Sequence, residues 1–214
     1  MSILQANKKA LRRAMASKLR ELSPSTIQAQ SEAIIAQVLA MPAFQRCKNI
    51  SCYLSMPTGE VDTSPIVANI LRDSGKSLFV PSITGGDGRM DFVRLYDEED
   101  LRAMPAGLWG IPEPTQEWRG QRRQSVQDAS CEALDMILVP GVAFDRSLSR
   151  LGHGKGFYDR FITSYAASRP RPFLVALALG QQLVDEVPIA EHDWKMDVIV
   201  TPEEVIETGL ENSF

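Results

Sequence analysis

The sequence is sparing with the residues that build metal clusters and disulfide frameworks. Its 214 residues include three cysteines, Cys47, Cys52 and Cys131, in no C-x-x-C pair, and only two histidines. Those counts argue against a zinc cluster. An odd cysteine number without a signal peptide fits buried thiols in a reducing compartment, so the expected location is cytoplasmic. No run of eighteen or more apolar residues occurs, so no segment is expected to span a membrane. Net charge is −4, which lacks the basic excess that a nucleic-acid partner demands. No internal repeat is visible.

What is present describes one domain, residues 1–214, with enough chain for a real core. Leu4, Leu11, Met15, Leu19 and Leu22 form a helical stripe over residues 3–22. Lys8, Lys9, Arg12, Arg13, Lys18 and Arg20 all precede the first acid, Glu21. Such a start suits either an organelle transit peptide, which would make the protein mitochondrial, or a structural helix with a working basic face. Ser23 as N-cap and Pro24 at the first position open a second helix, with Ile27, Ile34, Ile35, Val38 and Leu39 on its buried face.

Beyond residue 48 the rhythm changes. Strands are expected at 49–55, 77–81 (stopped by Pro81), 89–95, 133–140, 171–179 and 196–202. Helices are expected at 62–75, at 97–104 and from Phe157 onward. The alternation predicts an α/β fold, a mostly parallel sheet with helices on its faces, preceded by a helical pair. Residues 105–131 are Pro- and Gly-rich at first, and "RGQRRQSVQDAS" reads as mobile.

The stretch that carries chemistry is "RLGHGKGFYDRF", residues 150–161. Gly152, Gly154 and Gly156 alternate with His153 and Lys155 and then enter a helix. A glycine loop opening a helix directs N–H groups and a helix dipole at an anion, and Lys155 adds a point charge. The stretch is neither a Walker loop nor G-x-G-x-x-G: Ser149 stands where the former needs its first glycine, and Phe157 where the latter needs its third. A glycine-rich turn without a ligand is the competing reading. Asp159, in the first turn of the helix, suits either the dipole or a Mg²⁺ ion held with phosphates.

Taken together, "KKALRR", "YLSMPTGEVDT", "WGIPEP", "ILVPGVAFD", "RLGHGKGFYDRF" and "EHDWKMDVIVTP" resemble, in this order, the 5-formyltetrahydrofolate cyclo-ligase family. The resemblance covers nearly the whole chain. It implies a three-layer α/β/α fold and a monomeric, Mg²⁺-requiring enzyme. That enzyme uses ATP to convert 5-formyltetrahydrofolate to 5,10-methenyltetrahydrofolate, releasing ADP and phosphate.

The resemblance also assigns residues. Lys8, Lys9, Arg12 and Arg150 through Tyr158 (Arg150, Leu151, Gly152, His153, Gly154, Lys155, Gly156, Phe157 and Tyr158) correspond to the ATP site. Leu54, Met56, Glu60 and Trp109, together with His153 to Phe157, correspond to the folate site. Lys155 and His153 take catalytic roles, and Asp159 and Asp193 the metal. Two positions depart from the family's habit: His153 where Arg or Gly is usual, and Phe157 where Tyr is frequent. The "RGQRRQ" segment has no evident counterpart and reads as a solvated loop or a basic rim for the glutamate tail of a folate. A layered α/β sugar-phosphate isomerase and a non-catalytic folate- or nucleotide-binding protein are the rival readings.

Overall fold

The computed structural model describes residues 2–84, 89–107 and 110–208. Two helices come first, α1 (Ile3–Arg20) and α2 (Pro24–Ala40). Ser2 caps α1 by accepting from the Gln5 N–H, and Ser23 caps α2 through Thr26 N–H, with Pro24 at the first turn. A short helix, α3 (Pro42–Arg46), leads into β1 (Asn49–Cys52). Next come α4 (Ser64–Arg72), β2 (Ser77–Thr84), β3 (Arg89–Leu95) and α5 (Glu98–Ala103). A small hairpin, β4 (Glu117–Trp118) and β5 (Gln121–Arg122), precedes the central strand β6 (Met136–Val139). A second hairpin, β7 (Ala143–Phe144) and β8 (Arg150–Leu151), delivers the chain to α6 (Phe157–Ala166). β9 (Phe173–Leu177), β10 (Val198–Val200) and β11 (Val205–Glu207) complete the described chain.

The main sheet has seven strands in the order β11-β10-β9-β6-β1-β2-β3. The five inner strands are parallel, and β3 and β11 are antiparallel edges. Successive side chains of the inner strands face opposite layers, as a period of two requires. Met136 and Leu138 join the core formed with Met15, Ile34, Ile66 and Ile70 of α1, α2 and α4. Ile137 and Val139 join the core under α6, with Phe161, Ile162 and Tyr165. Helices therefore cover both faces, and the α/β/α expectation holds.

Several boundaries differ from expectation. Pro81 does not stop β2, which runs on to Thr84 against β3. Pairing with β1 ends at Phe79, so Pro81 lies where one side of β2 is an edge and a missing N–H costs little. The 143–151 connection is a hairpin, too short in each strand to show periodicity. The "RGQRRQSVQDAS" segment, expected to be mobile, includes β5 of a short hairpin, and its arginines pair with acids of α5 and of the segment itself. Arg123 is buried and forms a two-pronged ion pair with buried Asp100, while its Nε donates to the Thr115 carbonyl at 2.8 Å. Arg119 pairs with Glu99 and Arg122 with Asp128, each at 2.7 Å. Of these three arginines, Arg119 and Arg122 stay exposed at the surface and Arg123 is buried.

Candidate functional site

Strand order reverses direction at β1 and β6. From β1 the chain moves outward through β2 to β3, and from β6 it moves the other way through β9 and β10. A crevice opens beyond the carboxyl ends of strands at such a reversal. The segments that leave there are "YLSMPTGE" after β1 and, after β6, Pro140, Gly141 and the β7–β8 hairpin.

That hairpin is shaped by Asp145, which is buried. Its Oδ1 accepts from the N–H groups of Ser147 and Ser149, and its Oδ2 from Val187 N–H at 2.8 Å. The turn so formed, with Leu148 at φ 63°, carries Arg150 back beneath the strand ends. Arg150 Nη2 donates to Asp159 Oδ2 at 2.7 Å and Nη1 to the Pro140 carbonyl at 3.2 Å. The buried Nε of Arg150 has no partner.

The glycine loop follows. Gly154 has φ +97°, and a Cβ there would lie 3.3 Å from the Arg12 guanidinium carbon. Gly156 has φ +64° and is the N-cap of α6, with no side chain closing the helix end. The first N–H groups of α6 are left for an outside acceptor. These two positions demand glycine for backbone reasons, and Gly154 also for close approach.

α1 lies over this loop. Arg12 Nε donates to the Gly152 carbonyl at 2.7 Å. Lys8, one turn earlier, makes an ion pair with Asp193. Asp193 also accepts from Ala190 N–H, and the adjacent Trp194 N–H donates to Asp159 Oδ1 at 3.0 Å. Burial works against the Asp193 carboxylate, but Lys8, the Ala190 N–H and His192 outweigh it and hold its pKa below the usual value. Segments far apart in sequence are thereby strapped around one opening.

Two clefts result. The larger, about 1730 Å³, is lined by Lys8, Lys9, Arg12, Arg150, Leu151, the three loop glycines, Phe157, Arg160, Asp159 and Asp193. The smaller, about 460 Å³, is lined by Met56, Thr58, Gly59, Gly141 and Val142 against α1, with Arg12 and His153 also on its wall. Arg12 belongs to both. Desolvation of the ring, followed by the positive charges of Arg12 and Arg150, lowers the pKa of His153. Glu60, expected to contact the folate, is buried, lines neither cleft and accepts from the N–H of Met56, which lines the smaller one. Burial pushes its pKa up to about 7, against the opposing effect of that hydrogen bond.

The sequence-assigned residues separate clearly. Lys8, Lys9, Arg12, Arg150 through Gly152, Gly154, Gly156, Phe157, Asp159 and Asp193 share the larger cleft, and Met56 and His153 the smaller. Lys155 is exposed and off both walls, with its carbonyl held by Arg160 Nη1 at 2.6 Å. Tyr158 turns inward, and its hydroxyl is buried without a partner. Leu54 packs half-buried against the core. Trp109 lies outside the described residues. Sequence reasoning missed Asp145, Thr58 and Arg160. An aspartate followed by serines two and four residues later was the available signal for the first.

Among the described residues no group of three or more His, Cys, Asp or Glu side chains gathers as a metal cage. Asp159 and Asp193 supply two carboxylates at the wall of a cleft otherwise rich in cations. That donor set fits Mg²⁺ held jointly with phosphate oxygens, since this ion needs only one or two protein carboxylates.

A mostly parallel α/β sheet with a cation-lined cleft and a more apolar one that share Arg12 is the build of a layered α/β enzyme. Comparison with known proteins narrows the class. The family model "5-formyltetrahydrofolate cyclo-ligase family" matches residues 4–202, and the chain belongs to that family. A probable 5-formyltetrahydrofolate cyclo-ligase of Schizosaccharomyces pombe is 36% identical, over 95% of this chain and 98% of that protein. One from Caenorhabditis elegans is also 36% identical, over 96% and 98%. The solved structure of Aquifex aeolicus 5,10-methenyltetrahydrofolate synthetase superposes with a TM-score of 0.75 at 29% identity, covering 97% of this chain and 95% of that one.

Proposed function

We propose that this protein closes the ring of 5-formyltetrahydrofolate to 5,10-methenyltetrahydrofolate at the expense of ATP, releasing ADP and phosphate. The observation that carries this reading is that the two clefts share Arg12, with His153 beside it on the wall of the smaller one. The basic cleft suits a triphosphate, and the smaller, more apolar one suits a pterin.

The chemistry needs such a junction. A formamide carbon is a poor electrophile, and its oxygen must be expelled. Transfer of the γ-phosphoryl group to the formyl oxygen breaks the bond to ADP and forms an imidate phosphate. N10 then attacks the formyl carbon, the carbon–oxygen bond breaks with departure of phosphate, and N10 gives up its proton. Phosphoryl transfer depends on positioning and charge stabilisation. Lys8, Arg12 and the N–H groups opening α6 would hold the phosphates, and Arg12 faces both reactants. Asp159 and Asp193 would hold Mg²⁺, which supplies charge neutralisation on the phosphates. His153 would stand beside the formyl group as a hydrogen-bond partner, and the walls of the smaller cleft would exclude water from the intermediate. Lys155, exposed on the glycine loop that borders the larger cleft, would add its positive charge on the nucleotide side.

The test mixes protein, 5-formyltetrahydrofolate, Mg²⁺ and ATP and follows the near-ultraviolet absorbance of the methenyl product. Product is expected with ATP and absent without it or with excess chelator. Lys155→Ala and Asp159→Asn should nearly abolish turnover while far-ultraviolet circular dichroism stays unchanged. Normal kcat/KM in both variants would overturn the assignment.

A further inference from the structure

One face of α1 forms a wall of the smaller cleft. Arg12, Ala16, Leu19 and Arg20 all line it. Offsets of four, seven and eight residues from Arg12 stack along one side of a helix. The wall is thus charged at both ends and apolar between them. Arg12 is engaged with Gly152 at the junction of the clefts. Arg20 is exposed, its Nε donates to the Ala16 carbonyl of its own helix at 2.9 Å, and it pairs with no carboxylate among the described residues.

We propose that Arg20 is a specificity-determining residue of the smaller cleft, holding a carboxylate of the substrate's glutamate tail while the reacting end lies at Arg12 and His153. This rests on the folate reading above. At 1.5 Å per residue, eight residues place the two guanidinium-bearing backbones about 12 Å apart. The extended aminobenzoyl arm that separates the reacting nitrogens of a folate from its carboxylates has a similar length. Ala16 and Leu19 present apolar surface to the flat ring between the two ends. The other basic segment available for an anionic tail is already neutralised internally, as Arg119, Arg122 and Arg123 each pair with an acid. A cation in the last turn of α1 also suits the helix dipole, and Lys18 meets that need as well as Arg20 does. Only Arg20 of the two lines the cleft.

Calorimetric titration of the full chain separates these roles. The ligands are 5-formyltetrahydrofolate and 5-formyltetrahydropteroate, which lacks the glutamate. The wild-type protein should bind the glutamate-bearing ligand about ten-fold more tightly, the scale of one charge-assisted hydrogen-bonded contact. Arg20→Ala should erase that preference and leave pteroate binding unchanged. Lys18→Ala, which removes the same charge from the same helix turn, should preserve it. An Arg20→Ala protein that keeps the preference, or weakens both ligands equally, overturns the proposal. Turnover is scored separately. A protein with the Arg20-dependent preference that forms no methenyl product refutes the cyclo-ligase reading and leaves Arg20's role standing. A wild-type protein that binds neither ligand overturns both.

Discussion

Arg12 reaches across 140 positions of sequence to donate from Nε to the carbonyl of Gly152, 2.7 Å away. Through this bond the first helix governs the shape of the glycine loop, and its guanidinium is left facing both clefts. Arg12→Lys keeps a charge but loses the planar fork that binds a carbonyl and an anion together. We expect kcat/KM to fall about a hundred-fold in Arg12→Lys and further in Arg12→Ala, in line with the loss of one preorganised donor. Steady-state kinetics with ATP varied should show both kcat and KM affected. An effect on KM alone would make Arg12 a ground-state contact only.

Gly154 tests the loop from the backbone side. Alanine there meets a positive φ and a Cβ 3.3 Å from Arg12. The αL-type penalty is about 1–2 kcal/mol, and the loop relieves it by moving away from Arg12. Gly154→Ala should bind ATP more weakly in equilibrium titration, with a small drop in Tm. Gly59→Ala makes a useful contrast: it shares a positive φ but has open space around it, so its cost should be backbone strain alone.

Glu60 gives a pH signature. Its pKa is about 7 in the folded protein against an ordinary 4.5. Between those values the native state binds more protons than the unfolded chain, so stability falls as pH rises through that window. Glu60→Gln can still accept from the Met56 N–H but carries no charge to bury. It should match the wild type near pH 4.5 and exceed its stability by roughly 3 kcal/mol at pH 8. Denaturant melts across this range check the sign; equal stability of the two proteins at pH 8 would count against a buried, uncompensated carboxylate.

Arg123 and Asp100 lie far from the chemistry and should affect folding only. Each is at most 2% exposed. Removing one partner strands the other's charge, which costs about 3–5 kcal/mol. Arg123→Met should therefore be strongly destabilised in urea melts, and Arg123→Met with Asp100→Leu should recover much of the loss. Per folded molecule, kcat should be unchanged in both.

The legible parts of this molecule were those in which a local rule acts alone. Ser23-Pro24 opened a helix where capping chemistry said it would, and strand 89–95 was bounded to the residue by its alternation. The glycine loop was legible because alternating glycines before a helix mark a backbone that needs positive φ, as Gly154 and Gly156 have. Arg123 was not, because a buried arginine and a solvated one are spelled alike, and only Asp100 decides between them. Pro81 misled for a similar reason. A proline stops an inner strand but is tolerated at an edge, and whether β1 extends beside it is not a local property.

By itself the amino-acid sequence determined the helices, the alternating strands, the glycine loop and, through its ordered motifs, the family. Tertiary structure alone decided that Lys8 meets Asp193, that Arg12 serves two clefts and that Lys155 stands outside both. The physical reason is range. Propensity, capping and periodicity act over a few residues, whereas the site is assembled by hydrogen bonds and ion pairs between segments up to 185 positions apart. Which of those segments meet depends on how the whole sheet is ordered.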